Sequence, residues 1–501
     1  MSNRTLLCRS LCVFIVASLL LCTLPVVWAQ GIQKNVSMAN LESTDESSDI
    51  QTLTLDDYYR VYTYDAYETN TFQFVPPVDG EYLFYSSVAT GDPVIYLYNS
   101  NMEYIDSNDD SGGNLQFRLT VSLTAGQTYY LVCGHCEEDY GSYRITALMA
   151  AAIPNTVCYF RNMLSSNYID IHGPNEQRYA HQWSYHIGMQ LKWNIVKQTG
   201  GYYTIQSEYG NKYYLGVSTR DVGTNNVELF ASVSDKTKWR IYAKSNGELF
   251  VESVYSPGCV LSVANTLIGS ELQLNYISAS ASNANKWKIE VELPTTLEGQ
   301  KMSNWCWNAT ARMMANHYYS VSSERTQERA VNYITNSVPD DEPANIPGGS
   351  SYAICAAKYY YEEDVETERT FDLVDYNTKR LGQARLRQFL HDGHVIFIGR
   401  GYYSAEGDRR EGHASLIVGY TTVYLNGLME YRYLIYDPWP ATPPNSWETP
   451  VVTQGRRLVR SYGWICSGVG TSSELPDNFI WDTYVVFETT YAGDNLPPKY
   501  N

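Results

Sequence analysis

One tetrapeptide pattern recurs three times in the middle of the chain, as Lys192-Trp-Asn-Ile195, Lys238-Trp-Arg-Ile241 and Lys286-Trp-Lys-Ile289, spaced 46 and 48 residues apart. A second pattern, Ile169-Asp-Ile171, Leu215-Gly-Val217 and Leu261-Ser-Val263, keeps a spacing of 46 throughout. A repeat this short cannot bury an apolar face alone, so its copies must pack around a shared core. Three copies carrying short apolar strand-like runs predict a threefold β architecture over residues 155–292, with the three tryptophans at its centre. A chain of 501 residues is long enough for further units on either side.

The chain begins with a basic stretch (Arg4, Arg9), an apolar run over Val13–Leu24, and Val27-Trp28-Ala29. That order predicts a cleavable secretory signal over residues 1–29 and an extracellular, secreted product. Leu19-Leu20-Leu21 before Cys22 lacks the small residue that lipid attachment at that cysteine would need. No later stretch is apolar for long enough to span a membrane. The net charge of −18 becomes −20 once the two signal arginines are removed, which argues against nucleic acid or anionic lipid as the main partner.

Residues 30–52 are polar and aperiodic, and are expected to be a disordered leader. Residues 53–150 then alternate short Tyr-rich and Val/Ile-rich runs with turn residues, as in Gly80-Glu-Tyr-Leu-Phe-Tyr85, Pro93-Val-Ile-Tyr-Leu-Tyr98 and Thr128-Tyr-Tyr-Leu-Val132. Such spacing predicts a small all-β sandwich. Through Tyr96-Leu-Tyr98, Asn108-Asp-Asp110 and Leu123-Thr-Ala-Gly-Gln-Thr-Tyr-Tyr130 this stretch resembles the bacterial pre-peptidase C-terminal domain. That family accompanies secreted peptidases, which implies a substrate or surface-adhesion role here.

Two features of the sandwich admit two readings each. Asp106-Ser-Asn-Asp-Asp-Ser-Gly-Gly113 is a candidate calcium loop or a solvated hairpin turn; the missing sixth-position glycine and terminal Glu favour the turn. Cys133-Gly-His-Cys136 has the letters of a dithiol redox motif, but it lies between strands rather than at a helix start, which favours a local disulfide.

The threefold segment resembles the ricin-type β-trefoil, whose members commonly bind glycans. In that family an acid bonds sugar hydroxyls while an aromatic ring stacks on the sugar. The resemblance carries those roles to Asp170 and Trp183 in the first repeat, as candidate carbohydrate-binding residues. Gly216 and Ser262 replace the acid in the other copies, and Leu191 stands where the family's Gln precedes the tryptophan. Asp170 as a turn residue and Trp183 as a packing residue remain the plainer alternatives.

The third segment, residues 294–490, carries the chemistry. Asn304 is a favoured cap residue, so a helix is expected to begin there, with Trp307, Ala311, Met314 and Tyr318 facing the core. Cys306 then sits in the first turn, where the helix dipole favours a thiolate. Gln300 lies six residues upstream, and its amide, with the Cys306 N–H, would form an oxyanion hole. Of the four histidines in this segment, His317 lies too far along the Cys306 helix to pair with the thiol, and His391 and His394 flank a helix end. His413 opens the strand-like run Gly412-His-Ala-Ser-Leu-Ile-Val-Gly-Tyr420. Asn426-Gly427 is a two-residue hairpin signal that places position 440 opposite His413. Asp437 lies three residues short of that position, so a bulge or register change is needed to align it with the imidazole.

Gln300, Cys306, His413 and Asp437 together resemble the papain-like cysteine peptidases, closest to the bacterial branch with the bacteriocin-processing enzymes. The shared features are a Gln, Trp-Cys-Trp heading a helix, Gly-His-Ala with Val-Gly-Tyr, and Asp-Pro after the next strand; papain itself has Asn in place of this Asp. The resemblance implies a C-terminal α+β papain-like domain and a peptide or protein substrate. It implies Cys306 as nucleophile, His413 as base, Asp437 as its partner and Gln300 on the oxyanion. With Cys306 as the odd thiol, Cys355–Cys466 and Cys158–Cys259 are left as disulfide pairs. No cofactor is implied, and no ligand-spaced cluster suggests a metal. The expectation is a multidomain chain, β-sandwich, β-trefoil and α+β domain, acting as a secreted cysteine endopeptidase held near a glycan or cell-surface polymer. The joints Ala150–Asn155 and Leu293–Glu298 are linker-like and become expected sites of self-processing. A cell-wall amidase or transglutaminase-like acyl transferase with the same triad, and a non-enzymatic glycan-binding adhesin, are the alternatives.

Overall fold

The structure, a computed structural model, describes residues 50–136, 138–171, 179–186, 188–223, 226–279, 282–338, 341–361, 371–377, 380–403, 409–440, 454–467 and 479–489. The expected signal (1–29) and most of the expected leader (30–49) lie outside these residues. The leader's end does not match expectation: Gln51 and Thr52 form a short parallel strand against Phe72 and Gln73. Most elements are strands, with few helices. Among the described residues no helix is long and apolar enough to cross a membrane.

The first unit is a β-sandwich. One sheet is built from Gln51–Thr52, Asn70–Phe74, Tyr129–His135, Pro93–Tyr98 and Tyr104–Asn108. The other is antiparallel, with Gly141–Ala150 between Tyr58–Thr63 and Gly80–Ser87, and Arg118–Leu123 outside the latter. Alternate residues of both sheets, among them Phe72, Phe84, Ile95, Leu131 and Ile145, fill the space between them. The Asp106–Gly113 segment is the end of a strand and a turn, where Asn108 Oδ1 accepts the N–H groups of Ser111 and Arg118.

The central unit is a β-trefoil whose threefold register follows both repeated patterns. Trp193, Trp239 and Trp287 are wholly buried, and each indole N–H donates to the carbonyl of the second pattern in its own repeat. The acceptors are Ile169, Leu215 and Leu261, at 3.0, 2.9 and 2.9 Å. A buried indole needs such a partner, which is why the two patterns keep nearly constant separation.

The third unit packs the helices Cys306–Tyr318, Gln327–Thr335 and Ser350–Tyr361 beside an antiparallel sheet. Phe479–Thr489 lies in that sheet between Phe371–Asn377 and Ile396–Tyr403, followed by Arg409–Leu425, Leu428–Asp437 and Arg456–Ser461. The Cys306 helix is buried nearly all round, with Arg312 among its half-buried residues, so it is central rather than amphipathic as its spacing suggested.

The expected linkers are built into the fold. Ala151 N–H donates to Ile241 O, Ala152 N–H to Gly427 O, and Ile153 N–H to the Tyr203 hydroxyl. At the second joint Leu293 N–H donates to Val418 O, and Glu298 pairs with Arg312. Self-processing there loses its premise, because a protease needs a joint that can unfold locally. Between sandwich and trefoil, Tyr242 and Ala243 pair with Ala150 and Met149, and a buried Arg118–Glu252 ion pair crosses the boundary.

The expected disulfides do not form: Cys133, Cys158, Cys259, Cys355 and Cys466 are free thiols, as is Cys306. Cys133 and Cys136 fail to pair for a geometric reason. Three residues apart at a strand end they face opposite sides, Cys133 into the sandwich core and Cys136 into a second apolar cluster. Burial also pushes the Cys133 thiol pKa well above its ordinary value, which removes the redox reading. Counting cysteines therefore does not single out Cys306; its position does.

Candidate functional site

The helix bearing Cys306 starts at that residue, with Trp305 as its cap and no side chain capping it. Asn304, the expected cap, instead bonds the backbone and side chain of Asn345. The flanking indoles hold the helix start in place: Trp305 donates to Ala344 O at 3.2 Å and Trp307 to Ile346 O at 3.3 Å. A Cβ on Gly348 would overlap the Trp307 ring, so this segment passes close against the helix.

His413 and Asp437 reach each other through a bulge. From the Asn426-Gly427 turn, where both residues have positive φ, the hairpin keeps one register up to Gly419–Leu434. Beyond it, between Ile417 and Gly419, the register slips by one residue. Without the slip His413 would oppose position 440, and Asp437 would lie on the other face of the sheet. With it His413 opposes Trp439, and Asp437 becomes a diagonal neighbour on the same face. The His413 and Trp439 ring centroids are 6.3 Å apart, consistent with that pairing.

A strand from another unit enters at the slip. The trefoil's last strand, Val291–Glu292, pairs with Tyr420 and Gly419, while Leu293 bonds the Val418 carbonyl. A side chain at position 419 would overlap the Val291 carbonyl oxygen, so only glycine admits this strand.

The imidazole Nε2 of His413 lies 2.7 Å from Asp437 Oδ1, and the Cys306 thiol lies near enough to the ring to act on its charge. Burial disfavours the charged ring, but the charge and hydrogen bond of Asp437, together with Cys306, outweigh it and raise the pKa to about 10. Asp437 is 1% exposed. Burial alone would raise its pKa; His413, the Trp439 N–H at 2.9 Å and Arg456 at 3.0 Å instead hold it below the ordinary carboxylate value. The arrangement is a buried carboxylate, an imidazole and a thiol in series, the parts of an activated sulfur nucleophile.

Gln300 is adjacent but differently employed. Its backbone N–H donates to Pro438 O, which places it beside the Asp437 turn. Both N–H groups of its side-chain amide are spent on the Met302 and Ser303 carbonyls, at 2.9 and 2.8 Å. In this arrangement both amide N–H groups are engaged, so an oxyanion could be met by Gln300 only in exchange for one of these bonds. The unengaged first-turn N–H of an uncapped helix is the donor that remains.

The other histidines are accounted for elsewhere. His317 bonds the carbonyls of Pro294 and Gly393, both at 2.8 Å. His391 lies against Tyr420 at the trefoil boundary, and burial lowers its pKa to about 4.

In the trefoil, Asp170 is 1% exposed, so it is not a carboxylate presented to solvent. Its two oxygens face His181 Nε2 at 3.2 Å and His186 Nε2 at 3.4 Å. Trp183 is half-buried, next to Gly269. Among the described residues no group of three or more His, Cys, Asp or Glu is arranged to hold a metal ion. Sequence reasoning missed Arg456, which no local pattern ties to Asp437, and Arg400, the cross-strand partner of His413.

No protein-family model matches the sequence, and no curated protein matches it. Solved structures similar to part of the chain include ThreeFoil, a designed threefold symmetric protein, at 21% identity over 26% of this chain and 95% of that one, TM-score 0.24. The Rhizoctonia solani agglutinin matches at 18% identity over 27% of this chain and 94% of its own, TM-score 0.24. The pre-peptidase C-terminal domain of a Bacillus anthracis collagenase matches at 11% identity over 20% and 94%, TM-score 0.18.

Proposed function

We propose that this protein is a secreted cysteine endopeptidase of the papain-like type. The observation that carries the proposal is the single imidazole of His413, which bonds Asp437 through Nε2 and has the Cys306 thiol near enough to act on its charge. In the proposed cycle the proton of the Cys306 thiol already rests on His413 as a thiolate–imidazolium pair, and the Cys306 sulfur attacks a peptide carbonyl. The Cys306 N–H at the uncapped helix start receives the developing oxyanion. Gln300 adds a second donor once one of its bonds to the Met302 or Ser303 carbonyl is exchanged for that oxygen. The imidazolium gives its proton to the leaving amine, and water, deprotonated by His413, then hydrolyses the thioester. Asp437 keeps the ring oriented and stabilises it while charged. Sandwich and trefoil hold this centre near a glycan-bearing or polymeric surface, which raises local substrate concentration.

The test compares the mature protein with Cys306→Ala on a denatured protein substrate under mild reductant. The expected result is fragments from the parent alone. Equal cutting by both would overturn the assignment of the nucleophile. Amine incorporation without fragments would move the activity to acyl transfer.

A further inference from the structure

Asp437 has a cationic partner as well as its imidazole. Its Oδ2 meets Arg456 Nη2 at 3.0 Å while Oδ1 meets His413, so the carboxylate cannot rotate without losing one of them. Arg456 is the cross-strand partner of Asp437, on the same face of the sheet. The neighbouring Arg457 points the other way and clasps Glu292 of the trefoil's last strand with two bonds, at 2.7 and 2.9 Å. The Tyr436 hydroxyl adds a third contact to Glu292, at 3.2 Å. Glu292 also pairs through its backbone with Gly419 in the His413 strand. On the other flank Gly455 passes between the carbonyls of Asp437 and Glu298, with no room for a side chain. The strand bearing Arg456 is thus held from both sides, and the trefoil is one of the holders.

We propose that Arg456 is a positioning residue for the Cys306–His413–Asp437 series, braced by the trefoil through Arg457 and Glu292. This rests on the peptidase reading. Anchoring Oδ2 aims Oδ1 at the ring, and the guanidinium charge favours the ionised carboxylate. Among the described residues the other ionic groups near His413 include Arg400, its cross-strand partner, and both Arg400 and Arg460 lie over the Trp464 ring. Arg400 also attracts the carboxylate through its charge, and removal of Arg456 withdraws the guanidinium bonded to Oδ2 while the His413 and Trp439 contacts to Oδ1 stay.

The test is the rate of Cys306 alkylation by iodoacetamide at about pH 7, read by mass spectrometry of the Cys306 peptide against the exposed Cys355 peptide of the same full-length protein. The parent is expected to alkylate Cys306 faster than Cys355. Arg456→Met should slow alkylation of Cys306 about ten-fold, with Arg456→Lys restoring most of the rate and Arg457→Met giving a smaller loss. A parent Cys306 no faster than Cys355 would overturn the peptidase reading, and this proposal with it. A fast parent rate that Arg456→Met leaves in place would overturn the positioning role alone. Buried Cys158 and Cys259 report the fold: they stay unmodified unless a variant has opened, in which case Arg456→Gln takes its place.

Discussion

Among the described residues two buried carboxylates hold imidazoles, and one of them belongs to the proposed catalytic set. Asp170 in the trefoil sits between His181 and His186 at 3.2 and 3.4 Å. Asp437 in the last unit holds His413 at 2.7 Å, with Arg456 on its other oxygen. Both lie in strands, both are 1% exposed and both are held below the ordinary carboxylate pKa. What separates them is the third partner. His413 has the Cys306 thiol at an uncapped helix start beside it, whereas no thiol joins the Asp170 group among its described contacts. An Asp–His pair supplies orientation and charge; reactivity comes from the nucleophile that the fold brings to the free side of the ring.

Substitution at the two acids should break this comparison most visibly. Asp437→Asn is expected to lower the turnover of peptide cleavage by about 10²–10⁴-fold, because the ring loses its orientation and its stabilising charge. Asp170→Asn should leave turnover unchanged and cost about 1–3 kcal/mol of stability, as a buried charge-assisted pair is lost. Steady-state kinetics and urea unfolding on the two variants measure both arms, and equal losses of turnover would erase the distinction.

The next largest effect lies at the bulge. Gly419→Ala puts a methyl group against the Val291 carbonyl, so the trefoil strand must withdraw and the register that places His413 over Asp437 relaxes. Turnover should fall by ten-fold or more with a stability loss of about 1–3 kcal/mol. A variant with full turnover would show that the bulge persists without that strand.

Dependence on pH sharpens the contrast further. Asp437 is depressed and His413 is raised to about 10, so their attraction is fully present only where an unfolded Asp would be ionised and an unfolded His protonated. That window runs from about pH 4 to about pH 6.5. The contribution falls away as pH drops through the folded value of Asp437, and declines as pH rises from 6.5 toward about 10. The stability difference between the parent and His413→Gln should therefore be larger at pH 5.5 than at pH 9. A constant difference across that range would contradict the ion pair.

The smallest effect is expected at the trefoil surface. Trp183→Ala should weaken retention on an immobilised polysaccharide, about ten-fold at most, without changing peptide turnover. Unchanged retention would leave Trp183 as a packing residue.

The chain announces some of this directly and conceals the rest. Trp193, Trp239 and Trp287 are legible because each indole must be buried and hydrogen-bonded at the same point of every repeat, which leaves a fixed spacing in the chain. Cys306, His413 and Asp437 are legible because each carries a short local pattern: tryptophans around the thiol, a buried run after the imidazole, and a turn that nearly pairs two strands. The failures share a different cause. Gln300 lies near the expected place, but its amide is claimed by two carbonyls whose positions no spacing reveals. The two joints look like linkers in composition, yet backbone groups of other units hydrogen-bond them, at Ala151 and Ala152 in the first and at Leu293 in the second. Cys158, Cys259, Cys355 and Cys466 look like two pairs by count, and count says nothing about distance.

Local chemistry, then, was enough for the threefold repeat, the sandwich pattern and the identities of thiol, imidazole and carboxylate. Periodic burial and local turn geometry act over a few residues and therefore remain visible in one dimension. The face on which His413 meets Asp437, the arginine on the second oxygen and the strand that holds both were decided by the tertiary structure alone. A one-residue slip reverses every side chain beyond it, and here a trefoil strand entering at Gly419, more than a hundred residues away in the chain, accompanies that slip.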